Sequence, residues 1–449
     1  MSAVIQGARA DAAGLPLVIG DPQRIVAWLN GRPVRQAEFL HHVVAVAAEL
    51  PRAPAAVNLC EDRYHFLVAF AAVALAGQTN LLPPSRARQA VDEVMGAHPG
   101  CYAISDRELD ASPPQLWRLP RLDPIDAAPA LPAPSLPGER IVAIGYTSGS
   151  TGSPKPNPKT WRSFCASTAR NAELLAEQAA AGANVVATVP PQHMYGMETS
   201  VLLPLLADVA VDTGKPLLPA DIAAALAALP APRLLVTTPV HLRALVQSAI
   251  ALPELAGILC ATAPLCRELA ATAETRFATR VTEVFGSTET CVIAHRRSAL
   301  EDAWRHYPGV ALRPQPDGTL VAADWFDAPV ILQDIVELLP ERGFRLCGRN
   351  SDLLEIAGKR ASLADLNRRL LSITGVVDGV IFQRDGEQPG VQRLAALVVA
   401  PELGEAAILD ALRGAMDPAF LPRPLKKVDH LPRNETGKLP RAALLQALR

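Results

Sequence analysis

Apolar, β-branched runs alternate with helix-patterned runs from residue 55 to residue 285, and this alternation most constrains the fold. AAVNLC (55–60), IVAIGY (141–146), NVVATV (184–189), RLLVTT (233–238), GILCA (257–261) and VTEVF (281–285) read as buried strands. Between them lie segments with helical spacing: one that Asp62 opens and that ends near Gly77, one capped by Thr160 and running to about Gly182, then 197–206, PADIAAALAAL, PVHLRALVQSA and a helix from Leu265. An earlier helix, 34–50, is closed by Pro51. Strands separated by helices predict a doubly wound, mainly parallel α/β sheet. Residues 113–138 carry eight prolines and read as a surface connection. From about 309 to 347 short alternating strands with turns at 317–318 and 342–343 predict a β-rich subdomain. A small α+β unit follows: strand 353–357, helix 362–372, strands 376–383 and 393–400, helix 405–415, and a basic, proline-rich tail. The expected division is a large domain over 1–348 and a small one over 349–449, with the boundary at 349–351.

A length of 449 residues calls for more than one core. The formal net charge of −2 gives no general field for polyanions, so nucleic acid is not an expected partner. Seven cysteines, scattered and without a CxxC pair, suggest neither a zinc site nor a disulfide framework. The start, MSAVIQGARADAAG, lacks the charged-then-apolar pattern of a signal peptide. The longest apolar run, Phe66 to Ala76, is too short to span a bilayer and reads as a core helix. The expectation is a cytoplasmic protein without membrane insertion.

The strand at 141–146 empties into a loop in which Thr147, Ser148, Ser150 and Thr151 alternate with Gly149 and Gly152 before Pro154 and Lys155. Glycines let a polyanion approach the backbone, hydroxyls and amides donate to phosphate oxygens, and Lys155 adds a positive charge. A Walker loop needs GxxxxGK[ST], which is absent here. Many Gly/Ser/Thr loops are ordinary turns, but YTSGSTGSPK resembles the phosphate-binding motif of the adenylate-forming superfamily: acyl- and aryl-CoA synthetases, adenylation domains and luciferases.

That resemblance extends, with motifs in the family's order, over nearly the whole chain. PPQHMYGMET puts His193 just past a strand end, where ligands of open α/β sheets bind; the resemblance sets His193, Tyr195 and Gly196 near the substrate carboxylate, with Met194, Met197, Thr238 and Val240 as further acid-pocket candidates. It lays the small residues Ala261, Thr262 and Ala263 along adenine. In VFGSTET it gives Phe285, Gly286 and Ser287 to the nucleotide, Thr288 to a phosphate oxygen and Glu289 to Mg²⁺, an ion that shares itself between carboxylates and phosphates. Asp334 and Arg349 would hold the ribose hydroxyls, although the usual TGD is here Leu332-Gln333-Asp334. GRNSDLLEIAGKR resembles the hinge and first strand of a mobile C-terminal domain, with Ser351 at the pivot in place of the family's Asp or Lys and Gly358 lining the thiol channel. LPRNETGKLPR supplies Lys438, whose compact ammonium suits charge developing on the carboxylate and the α-phosphate together.

The resemblance implies an ATP-dependent acid:thiol ligase. A small-molecule carboxylic acid is activated to an acyl-adenylate, then passed to CoA or to the phosphopantetheinyl thiol of an acyl carrier protein. An aryl acid such as a hydroxybenzoate or hydroxycinnamate is the first expectation and a medium-chain fatty acid the second. A nucleotide-binding module without catalysis and a luciferase-like oxidation of the adenylate are the alternatives of other classes.

Overall fold

A computed structural model describes residues 14–109, 112–113, 115–148, 154–178, 182–316, 318–349, 353–356, 359–385, 392–434, 437 and 439–449. It separates into two compact units. The first takes in the chain up to Asp302 with Tyr307–Gly309 and Asp324–Asp327; the second comprises Ala303–His306, Val310–Ala323 and Ala328–Arg449.

In the first unit one sheet runs Pro154–Thr160, Ile141–Ser148, Thr79–Leu82, Ala55–Asn58, Tyr102–Ser105, Leu116–Arg118. All neighbours are parallel except the first pair, an antiparallel hairpin flanking the Gly/Ser/Thr loop. The second sheet runs from Cys291–Arg296 through Val281–Ser287, Gly257–Cys260, Arg233–Thr237, Asn184–Ala187, Ala210–Asp212 and Ile25–Leu29 to Arg32–Arg35. Its inner pairs are parallel and the first and last pairs of that order are antiparallel. Parallel strands covered on both faces must be apolar throughout rather than alternating, which is why these runs are readable without a structure. Ile222, Leu226, Leu242, Leu245 and Leu269 from three helices pack with Val186, Leu235, Ile258 and Val281 of the sheet. Truncating one such leucine costs about 2–5 kcal/mol.

The Phe66–Ala76 run lies on a helix, Arg63–Leu75, that is buried on nearly every side; Asp62 caps it, accepting from the Tyr64 and His65 amides at 2.8 and 3.0 Å. Thr160 caps Trp161–Glu177, accepting from the Ser163 amide, and this helix stops short of Gly182. The proline-rich 113–138 stretch contains more than a connection. Leu116–Arg118 adds a strand to the first sheet and Ser135–Leu136 pairs with Leu15–Pro16. A further strand, Pro154–Thr160, has no sequence signature because Pro154, Pro156 and Pro158 alternate along it. Proline cannot donate to a ladder and is confined to sheet edges; the ladder toward Ile141–Ser148 therefore draws its donors from the residues between the prolines.

In the second unit, Val310–Gln315, Gly318–Ala323 and Val330–Leu332 form an antiparallel sheet, and Asp334–Leu339 pairs with Gly343–Arg349. Asp378–Asp385 and Gln392–Val399 are antiparallel, with Leu425–Lys427 added parallel. Helices Leu363–Leu371 and Glu405–Ala415 cover one face through Leu366, Leu370, Ile408 and Leu412. Among the described residues no helix is long and apolar enough to cross a membrane.

Candidate active site

Three segments named from the sequence meet in the first unit at Gly145. A Cβ built there would lie 2.7 Å from Thr288 Cγ2 and 3.1 Å from Met194 Cε. The strand that feeds the phosphate-type loop therefore touches both the VFGSTET turn and the QHMYGM segment. Beyond Gly145 the strand delivers half-buried Thr147, with exposed Lys155 directly across the hairpin, and ends at Ser148. Gly149, Ser150, Thr151 and Gly152 lie outside the described residues.

The turn after Val281–Ser287 is held from within. The Ser287 amide donates to Thr290 Oγ1 at 3.2 Å, and the Thr290 amide returns a bond to Ser287 Oγ at 3.3 Å. A side chain at Gly286 would overlap the Cys291 carbonyl oxygen, so the bulge between Phe285 and Gly286 requires a glycine. Thr288 and Glu289 stand half-exposed at the tip. No side-chain partner holds the Glu289 carboxylate among the described residues, and none of these form a cluster of three or more His, Cys, Asp or Glu that could cage a metal. A single uncommitted carboxylate fits Mg²⁺, which takes one or two carboxylates and completes its shell with phosphate oxygens and water.

His193 is half-buried and precedes the helical turn Met194–Met197; the Met197 amide donates to its carbonyl at 2.7 Å. Gly196 packs against the Pro190 carbonyl. Met194 meets Cys291, Sδ to Sγ at 4.0 Å. Burial pushes the Tyr195 phenol well up, among Cys260 and the Thr237 backbone. Thr238 caps the Pro239–Gln247 helix and is fully buried, while Val240 is half-buried beside it. Ala261 donates to the Thr237 carbonyl at 3.4 Å, and Ala263 is half-buried. Thr262 has φ +83° and a buried hydroxyl without a partner among the described residues. A β-branched residue at positive φ is costly, about 1–3 kcal/mol, and such strain gathers at binding sites.

In the second unit Asp334 and Arg349 occupy directly opposed positions on paired strands. The Thr319 hydroxyl donates to the Asp334 carbonyl at 2.6 Å. The LPRNETGK turn is anchored by Arg433, which pairs with Asp378 at 2.9 Å and donates to the Gly437 carbonyl at 2.8 Å. Ser351, Gly358 and Lys438 lie outside the described residues.

The motifs do not point to His241, Lys159 or Glu198. His241 Nδ1 lies 3.0 Å from the Thr188 hydroxyl and 3.2 Å from that of Thr238, and burial lowers its pKa. Lys159 and Glu198 are both almost fully buried next to the VFGSTET hairpin. The one available signal was a charge in an apolar or proline-spaced run: Glu198, alone within METSVLLPLL, and Lys159, the second lysine of PKPNPKT.

The AMP-binding enzyme family matches residues 55–322. A 4-coumarate–CoA ligase from Rhodobacter capsulatus is 31% identical over 281 residues, covering 61% of this chain and 67% of that protein. A second, from Halorhodospira halophila, is 31% identical over 313 residues, covering 65% and 73%. Among solved structures, an o-succinylbenzoate CoA synthetase from Bacillus subtilis in complex with its acyl-adenylate intermediate has a TM-score of 0.78 over 94% of this chain and 95% of that one, at 18% identity, a likeness of fold. With more than half its length matched by one family and two curated relatives aligned over two thirds of their own, the chain belongs to the AMP-binding enzymes of the adenylate-forming superfamily.

Proposed function

We propose that this enzyme uses ATP to activate an aryl carboxylic acid and passes the acyl group to the thiol of CoA or of an acyl carrier protein. The observation that supports the reading is the meeting at Gly145 of the loop strand, Thr288 and Met194, one residue from each of three segments that the motif resemblance gives to the nucleotide and the acid. The 4-coumarate–CoA ligase relatives favour an acid with an aromatic ring.

In the first half-reaction a carboxylate oxygen bonds to the α-phosphorus of ATP and pyrophosphate leaves with the electrons of the broken P–O bond. Such a transfer needs positioning and charge neutralisation more than covalent help from the protein. Thr147, Ser148 and the loop through Gly152 hold phosphate oxygens by their amides and hydroxyls, with Lys155 adding charge. Thr288 donates to phosphate, and Glu289 would hold Mg²⁺, which when bound would neutralise charge on the triphosphate. Ala261–Ala263 lie along adenine, and Asp334 with Arg349 reads the ribose. Lys438 supplies an ammonium to the carboxylate and α-phosphate oxygens. In the second half-reaction a thiolate attacks the acyl carbon and AMP leaves. Residues 349–449 act as the lid, pivoting near Ser351 so that the Gly358 face replaces the Lys438 face.

Acid-dependent ATP–pyrophosphate exchange with a panel of hydroxybenzoates, hydroxycinnamates and medium-chain fatty acids tests the reading. Exchange is expected first with an aryl acid. A fatty acid preference would move the substrate assignment, and no exchange with any acid would overturn the ligase reading.

A further inference from the structure

Two buried charges grip the backbone on the outgoing side of the Thr288–Glu289 turn, one at Glu289 and one at Val292. Lys159 is 6% exposed, and its ammonium donates to the Glu289 carbonyl oxygen. Glu198 is 1% exposed, and both its carboxylate oxygens accept from the Val292 amide, at 2.9 and 3.1 Å. The same carboxylate accepts from Ser167 Oγ at 2.8 Å and from Asn171 Nδ2 at 3.1 Å, and Asn171 accepts in turn from the Tyr307 hydroxyl at 2.9 Å. Burial pushes the Glu198 carboxyl up, while these donors and the positive charge of Lys159 oppose the rise.

The chain positions of the two residues give the grip its meaning. Lys159 lies on Pro154–Thr160, the strand that returns from the phosphate-type loop, opposite Ala143. Glu198 follows directly on the Met194–Met197 turn of the acid pocket and opens a π-helical stretch, Glu198–Leu202. Wide turns of this kind inside helices gather at functional sites. For stability alone, charges buried this deep have little advantage over apolar side chains of similar volume. A charged group bonded to a backbone amide or carbonyl is different, because such bonds are short, strong and directional.

We propose that Lys159 and Glu198 are a positioning pair that fixes the Thr288–Glu289 turn for the magnesium-bound triphosphate. Lys159 holds the Glu289 carbonyl and thereby the direction of its carboxylate. Glu198 holds Val292 and thereby the far limb of the hairpin. The inference rests on the reading of this turn as the triphosphate and magnesium site.

The test compares two nucleotides by calorimetric titration of the full-length protein: ATP with Mg²⁺, and AMP without it. AMP has no β- or γ-phosphate and makes no call on Glu289. Lys159→Met, which removes one charge-assisted hydrogen bond, is expected to weaken Mg²⁺–ATP binding about tenfold or more. AMP affinity should stay within about twofold, and Lys159→Arg should restore most of the loss, since a donor again reaches the carbonyl. Equal weakening of both nucleotides, or none of either, would overturn the pairing. Should Lys159→Met not fold, Glu198→Gln, which keeps the volume but loses an acceptor, is judged by the same ratio. Wild-type protein that binds neither nucleotide would sink the site reading itself, an outcome distinct from failure of the pair.

Discussion

Gly145→Ala is the sharpest perturbation the structure offers, because it acts at the point where three segments meet. The new Cβ would stand 2.7 Å from Thr288 Cγ2 and 3.1 Å from Met194 Cε. The methionine contact is with the free end of a flexible side chain and yields cheaply. Thr288 is β-branched and stiff about χ1, so relief there means moving the turn that carries its hydroxyl. Overpacking of this size costs about 1–3 kcal/mol. If that cost falls on transition-state positioning, kcat/KM for Mg²⁺–ATP drops roughly 5–150-fold. Pyrophosphate exchange at saturating acid measures it, with thermal unfolding run alongside to separate loss of fold from loss of alignment. The decisive variant is Gly145→Ala with Thr288→Ser, which removes Cγ2 and keeps the hydroxyl. It should recover most of the lost activity. A double variant no better than Gly145→Ala, or a single variant within twofold of wild type, would refute the claim that Thr288 is set by contact with the loop strand.

Other outcomes follow from the same description. Lys438→Ala should lower exchange by about 10²–10³-fold, the usual effect of losing one donor to a developing oxyanion; near-normal exchange removes Lys438 from adenylation. Gly358→Trp should leave exchange intact while abolishing thioester formation, and equal loss of both refutes the two-faced lid. Asp106 links pH to stability. Burial opposes its charge, but His65 and the Glu61 and Asp62 amides outweigh burial and hold its pKa at about 2, below the ordinary 3.8. The unfolded chain therefore binds more protons between those values. The stabilisation, about 2 kcal/mol, is present above pH 4 and is lost as pH falls through 2. Asp106→Asn should forfeit it at neutral pH and flatten the acid limb of a denaturation series; an unchanged acid limb contradicts the assignment.

Much of the first unit was legible because its parallel strands, covered on both faces, announce themselves as unbroken apolar runs. The Asp62 and Thr160 caps were legible for a local reason: each side chain bonds an amide two or three residues on. The Pro154–Thr160 strand was not, since proline argues against a strand and only its edge position excuses it. The VFGSTET segment was legible as a buried strand that delivers Thr288 and Glu289 at its mouth. Lys159 and Glu198 escaped because their partners are backbone groups 130 and 94 residues away in the chain, and no local pattern encodes a bond to a distant carbonyl or amide. Thr262 was named for its small-residue neighbourhood, but its positive φ has no signature in the sequence.

The proline spacing of Pro154–Thr160 also governs how the molecule meets its own kind. With the inward donors supplied by Lys155, Asn157 and Lys159, the outward positions fall to Pro154, Pro156 and Pro158. That rim offers carbonyls and no N–H groups, so an approaching strand finds half of its hydrogen-bonding complement missing. Open sheet borders invite chains to stack into aggregates. Here the Pro154–Thr160 border repels such stacking by composition, which keeps that side of the sheet clear.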